Sequence, residues 1–118
     1  MYRIAKEFAF SASHNLTDLP EGHPCKRVHG HNYVVTLELA SEELDDTGFI
    51  VDVKELNALR DWIDDTLDHR HLNEVFDHPN VTTEWLCKVI FDWCKARWCQ
   101  TSAVKIQETP KIWAEYRP

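Results

Sequence analysis

The chain is poor in glycine, with 3 in 118 residues, and it contains no uninterrupted apolar run approaching the ~18 residues of a membrane span. That absence excludes a transmembrane helix. The first residues, Met1-Tyr2-Arg3-Ile4, lack the charged-then-apolar profile of a secretory leader, so a soluble, cytoplasmic protein is expected. No repeat, low-complexity tract or Gly/Ser/Pro linker divides the chain, and residues 1–118 are read as a single domain. Basic charge is also short: 13 Lys plus Arg stand against 20 Asp plus Glu, a formal net charge of -7. Nonspecific nucleic-acid binding needs clustered cations to displace counterions from phosphates, so no nucleic-acid partner and no membrane partner is expected. Cys25, Cys87, Cys94 and Cys99 form no C-x-x-C pair, which argues against a zinc ribbon, and without a secretory signal a disulfide framework is a poor reading.

Histidine, by contrast, is abundant, with 7 residues. Their placement follows from the hydrophobic pattern. From Tyr2 to Ala12, Tyr2, Ile4, Phe8, Phe10 and Ala12 share one parity and Arg3, Glu7 and Ser11 the other, which predicts a half-buried strand whose parity continues to His14. Leu16 to Val28, with Pro20, Gly22 and Pro24, reads as a loop. A second strand is predicted from His29 to Ala40, with His29, His31, Tyr33, Val35, Leu37 and Leu39 on one face, and Phe49-Ile50-Val51 as a short third strand. Asp52-Val53-Lys54-Glu55 has capping-box spacing ahead of a helix with Val53, Leu56, Leu59, Trp62, Ile63 and Leu67 on its stripe. Thr82 or Thr83 caps a second helix with Leu86, Val89, Ile90, Trp93 and Ala96 facing inward. A hairpin closes the chain: Val104, Ile106 and Glu108, a turn at Thr109-Pro110-Lys111, then Ile112, Ala114 and Tyr116. Hairpins flanking helices predict an α+β fold, an antiparallel sheet with its helices on one face.

Four groups of residues can carry chemistry. His29 and His31, at i and i+2 on a strand, point the same way and can grip one cation. Zinc bound through imidazole takes nitrogens at about 2.0 to 2.1 Å and, in catalytic sites, three protein ligands with one open position. His14 is the natural third. An isolated H-x-H is more often a surface or hydrogen-bonded pair; three histidines on apolar strand faces shift the balance towards metal. Cys25 precedes Lys26 and Arg27, and adjacent positive charge raises thiolate character. Nucleophile, general base and fourth zinc ligand remain open to it, whereas Cys87 and Cys94, on a helix, read as inert core. Asp68 beside His69 is the pairing that general acid-base catalysis uses, although a helix C-terminus attracts histidine through its dipole as well. Glu108 shares the parity of Val104 and Ile106, and a carboxylate on a buried face is costly unless paired. The amino-pyrimidinone edge of a pterin or guanine would pair it bidentately, whereas a hairpin end already in solvent would need no partner. His23 and His78, beside turn residues, are expected in solvent.

Together Phe8-Ala9-Phe10-Ser11-Ala12-Ser13-His14, Cys25-x-x-x-His29-Gly30-His31, Asp52-Val53-Lys54-Glu55-Leu56, Leu67-Asp68-His69, Asn80-Val81-Thr82-Thr83-Glu84 and Glu108-Thr109 resemble, in order and over the whole chain, the 6-pyruvoyl-tetrahydropterin synthase family. The three residues between Cys25 and His29 are similar to its queuosine-pathway branch, which makes 6-carboxy-5,6,7,8-tetrahydropterin. The resemblance implies zinc on His14, His29 and His31, proton transfer by Cys25 with an Asp68-His69 dyad, and a pterin held by Glu108 beside Thr82 and Thr83. Val81 stands where the family has proline. It further implies the tunnelling fold, a four-stranded sheet with two helices, closing into barrels as trimers and homohexamers with active sites between subunits. The implied reaction is that of a carbon-carbon lyase, converting 7,8-dihydroneopterin triphosphate to 6-carboxytetrahydropterin, acetaldehyde and triphosphate, with no redox cofactor. A 6-pyruvoyl-tetrahydropterin synthase and a noncatalytic zinc or pterin scaffold are the alternatives. A triphosphate substrate facing an acidic chain calls for a local basic mouth, with Lys26, Arg27 and Arg70 as its candidates.

Overall fold

The structure, a computed structural model, describes all 118 residues. Its element order is β1 (Tyr2–His14), β2 (His29–Ser41), α1 (Asn57–Thr66), α2 (Leu72–Phe76), α3 (Thr83–Lys95), β3 (Thr101–Thr109) and β4 (Ile112–Tyr116). The strands form one antiparallel sheet in the order β1-β2-β3-β4. Directly opposed residues share a face. Phe8 opposes Val35, Phe10 opposes Tyr33, Ala12 opposes His31 and His14 opposes His29, so the apolar parity of one strand meets that of the next. Ile106 and Val104 of β3 extend this face opposite Val35 and Leu37.

The helices cover that face. α1 buries Leu59 and Ile63; α3 buries Leu86, Cys87, Ile90, Phe91 and Cys94. The buried stripe of α3 is therefore rotated from the expected one: Ala96 is exposed and Val89 and Trp93 are half-buried, because Cys87 and Cys94 are small enough to let the helix approach the sheet, where the Cys87 thiol meets the Ala114 carbonyl. Burial pushes the Cys87 thiol up to about 11 and the Cys94 thiol up to about 12, as inert core cysteines require.

Three further expectations need correction. Phe49-Ile50-Val51 is not a strand. Ile50 and Val51 are buried, but the Asp45 carboxylate accepts from the amides of Thr47 and Phe49, closing the loop on itself, and both edges of β2 are already paired. Asp52 does accept from the Lys54 amide at 3.0 Å, yet it caps a 3-10 turn, Val53–Leu56, that precedes α1; Val53 is consequently exposed. His78 does not stand free in solvent: its ring lies 4.3 Å from that of Trp85 and its Nδ1 accepts from the Asn80 amide. No helix is long and apolar enough to cross a membrane.

Candidate metal centre

β1 and β2 extend through His14 and His29, and their register brings His14, His29 and His31 to one corner of the covered face. β3 adds Glu108. The pairing of Gln107 with Trp113 and Thr109 with Ile112 leaves Glu108 as the extra residue of a bulge, a device that re-aims a side chain. One ligand atom from each of these four residues lies within 4.8 Å of the other three.

Backbone carbonyls set the histidine tautomers. His14 Nδ1 donates to the Val81 carbonyl at 2.7 Å and His29 Nδ1 to the Arg27 carbonyl at 2.7 Å. A carbonyl only accepts, so each Nδ1 carries hydrogen and, in the neutral ring, Nε2 keeps its lone pair. Those two Nε2 atoms face each other at 2.9 Å. Burial lowers the pKa of His14 and of His31 from the ordinary imidazole value, the Val81 carbonyl and the Glu108 carboxylate respectively opposing the shift. Glu108 Oε1 stands 2.6 Å from His31 Nε2, yet Nε2 is buried with no partner in hydrogen-bonding geometry. Glu108 Oε2 accepts from the Thr83 hydroxyl at 2.7 Å. Neutral imidazoles with converging lone pairs, an orphaned buried nitrogen and an adjacent carboxylate fit a divalent cation of zinc type.

The two threonines divide their tasks. Thr82 caps α3, its hydroxyl accepting from the Trp85 amide at 3.1 Å; Thr83, buried, reaches Glu108. Cys25 sits half-buried in a 3-10 turn, Pro24–Lys26, capped by His23. The metal cluster does not include it. Lys26 pairs with Glu21 and so does not leave its charge wholly to the thiol.

Asp68 and His69 form the expected pair, with Nδ1 2.9 Å from Oδ2, and both are tied to the outer edge of β1. The Ser11 amide donates to Asp68 Oδ1 at 2.9 Å, and the His69 amide donates to the Ser11 carbonyl at 2.7 Å. The amide of Ser11, followed by His69, holds the Asp68 carboxyl below its ordinary value. His69 adopts a left-handed backbone, φ 58, uncommon for a residue with a side chain. The pair's histidine lines a cavity of about 470 Å³ with His31, Asn32, Arg70 and His71. Cys25, Lys26 and Arg27 do not line it, so the expected basic mouth is not assembled there. His71, whose Nδ1 lies 2.9 Å from the Ser13 hydroxyl, escapes sequence reasoning because its partner is 58 residues away.

The model of the family described as 6-pyruvoyl tetrahydropterin synthase matches residues 3–118. A Bacillus subtilis protein named 6-carboxy-5,6,7,8-tetrahydropterin synthase is 33% identical over 130 residues, covering 99% of this chain and 86% of its own. A Synechocystis protein of the same name is 35% identical over 96 residues, covering 77% and 73%. The structure of Caenorhabditis elegans 6-pyruvoyl tetrahydropterin synthase superposes with a TM-score of 0.86 at 29% identity, over 99% of this chain and 95% of that one. With its sheet, its helix layer and its histidine cluster in place, this chain belongs to the 6-pyruvoyl tetrahydropterin synthase family.

Proposed function

We propose that this chain is a zinc-dependent 6-carboxy-5,6,7,8-tetrahydropterin synthase, a lyase of queuosine and 7-deazapurine biosynthesis working in the cytoplasm. Its substrate is 7,8-dihydroneopterin triphosphate, and its products are 6-carboxytetrahydropterin, acetaldehyde and triphosphate. The observation that carries the reading is the gathering of ring nitrogens of His14, His29 and His31 within 4.8 Å of one another, with Nε2 of His31 buried and unpartnered. Zinc held by these three imidazoles supplies Lewis acidity to the oxygens of the substrate side chain.

The chain's own groups do the rest. Glu108, held by Thr83, accepts from the ring N–H and amino group of the pterin and fixes its orientation. Cys25, as thiolate, takes a proton from carbon. Asp68 orients His69, which returns protons to the departing fragment. His69, with a side chain 82% exposed, is free to serve the Cys25 of a neighbouring chain. The outer edge of β4 and the part of the β1 outer edge before Ser11, with Tyr2, Ile112 and Trp113 exposed, support edge-to-edge assembly into trimers and a homohexamer.

The names of the Bacillus and Synechocystis relatives and the Cys25-x-x-x-His29 spacing favour the carboxy product over the pyruvoyl one. Mass spectrometry of the product formed from 7,8-dihydroneopterin triphosphate decides. Appearance of 6-carboxytetrahydropterin with acetaldehyde is expected; 6-pyruvoyltetrahydropterin would assign the other branch, and unchanged substrate would indicate a noncatalytic scaffold.

A further inference from the structure

We infer that Glu108 is a fourth protein ligand of the metal in the substrate-free protein, so that the metal and the pterin ring compete for one carboxylate. The inference rests on the reading of His14, His29 and His31 as metal ligands. Three observations lead to it. Oε1 approaches His31 Nε2 to 2.6 Å without hydrogen-bond geometry, and Nε2 is left with no other partner; a buried nitrogen and a carboxylate oxygen that close, with no hydrogen bond between them, are what a shared cation reconciles. The bulge at Gln107/Thr109 turns Glu108 towards the histidines. Thr83 then holds the second oxygen, which fixes the carboxylate at the cluster.

Glu108 also forms a wall common to two cavities. One, of about 430 Å³, includes His31 and Asn32; the other, of about 380 Å³, includes Thr83, Ile112 and Trp113. A flat ring entering from the Thr83 side and offering two parallel N–H donors engages both carboxylate oxygens. To make that contact Oε1 would have to turn away from the histidines, which would leave the metal with the three imidazoles and one position free. The competition is reciprocal: whatever factor the metal takes from ring affinity, the ring takes from metal affinity.

The test uses the full chain and two probes. Zn2+ affinity is measured against a competing chelator, and the visible spectrum of the Co2+-substituted protein reports its donor set, in wild type and Glu108→Gln. Loss of the carboxylate should weaken zinc binding about tenfold or more and change the Co2+ spectrum. Glu108→Asp, which keeps the charge one methylene short, should show the same direction and serves if the amide disturbs β3. In wild type, 6-methylpterin, which has the ring edge but no side-chain oxygen, should bind several-fold more weakly to the zinc-loaded than to the zinc-free protein. Zinc affinity and Co2+ spectrum unchanged in both variants, or equal 6-methylpterin affinity with and without zinc, would overturn the inference while leaving the three-histidine site standing. Failure of wild type to bind either metal would overturn the metal reading itself and this inference with it.

Discussion

His14 Nε2 and His29 Nε2 face each other at 2.9 Å while their Nδ1 atoms both donate to backbone carbonyls, of Val81 and Arg27. Two neutral rings so oriented oppose lone pair to lone pair. Either a proton or a metal cation must lie between them, and a metal uses both. Removing one ring should therefore abolish tight binding. Wild type is expected to carry about one zinc per chain, and His31→Ala or His29→Ala to carry almost none after dialysis, as read by elemental analysis. Equal zinc in wild type and a variant would take that histidine out of the ligand set.

The carbonyl of Val81 accepts from His14 Nδ1, a main-chain contact that does not depend on the side chain at position 81. Both strand parities, the three-histidine face and the position of Glu108 on it were readable from alternation alone, since period 2 is a property of the chain itself. The Glu108–His31 approach was not: it depends on the pairing of β2 with β3 and on a bulge, and no local pattern encodes a register between segments 77 residues apart in number, from 31 to 108. The rotation of α3 was hidden for another reason. Cys87 and Cys94, although expected to be inert core, stand outside the stripe of large apolar residues from which the buried face was inferred, and both are fully buried.

That distinction among the thiols is measurable. With burial holding Cys87 and Cys94 far above ordinary thiol values, and with Cys25 half-buried and Cys99 exposed, a native alkylation at pH 8 should modify Cys25 and Cys99 and spare the other two. Peptide mass spectrometry gives the answer. Modification of Cys87 or Cys94 at the rate of Cys99 would mean that α3 opens readily from the sheet.

Cys25→Ala separates proton transfer from structure. The turn Pro24–Lys26 is capped through the Cys25 amide, not its sulfur, so the variant should keep its circular dichroism and zinc content while turnover falls by at least about 100-fold, the usual contribution of a positioned acid-base group. Near wild-type turnover would move the proton to another residue.

At the far end of the sheet, Glu38 is buried among Arg117, Ser102 and Arg3. The Arg117 guanidinium, aided by Ser102 and Arg3 against the opposing effect of burial, holds its carboxyl at about 2, below the ordinary value of 4.5. A depressed carboxyl stabilises the fold fully above its unfolded value and loses that contribution as pH falls from 4.5 towards 2. Because Arg3 and Arg117 are about half exposed, solvent screening reduces the effect to roughly 1 to 2 kcal/mol at pH 7. Glu38→Gln should unfold at lower urea concentration than wild type at pH 7, with the gap closing near pH 2. A gap that persists there would trace the loss to packing instead of charge.

The adjacent threonines, Thr82 and Thr83, make different predictions. Thr82 accepts from the Trp85 amide and touches no group of the metal cluster through a hydrogen bond; losing an N-cap costs about 1 kcal/mol, so Thr82→Ala should lower the unfolding midpoint and leave pterin affinity alone. Thr83→Val keeps shape and burial but takes away the hydroxyl that donates to Glu108 Oε2. With that oxygen no longer held, the carboxylate loses its orientation towards both the histidines and an incoming ring. A hydrogen bond to a charged group contributes about 1.5 to 3 kcal/mol; its loss from the free protein lowers the unfolding midpoint, and the carboxylate it leaves unoriented should also lower affinity for 6-methylpterin, by up to roughly a hundredfold. Calorimetric titration and urea unfolding of both variants read the two effects separately. If Thr83→Val bound the ring as tightly as wild type, the contact to Glu108 would be an internal tie with no part in recognition, and the pterin edge would have to be held by other groups.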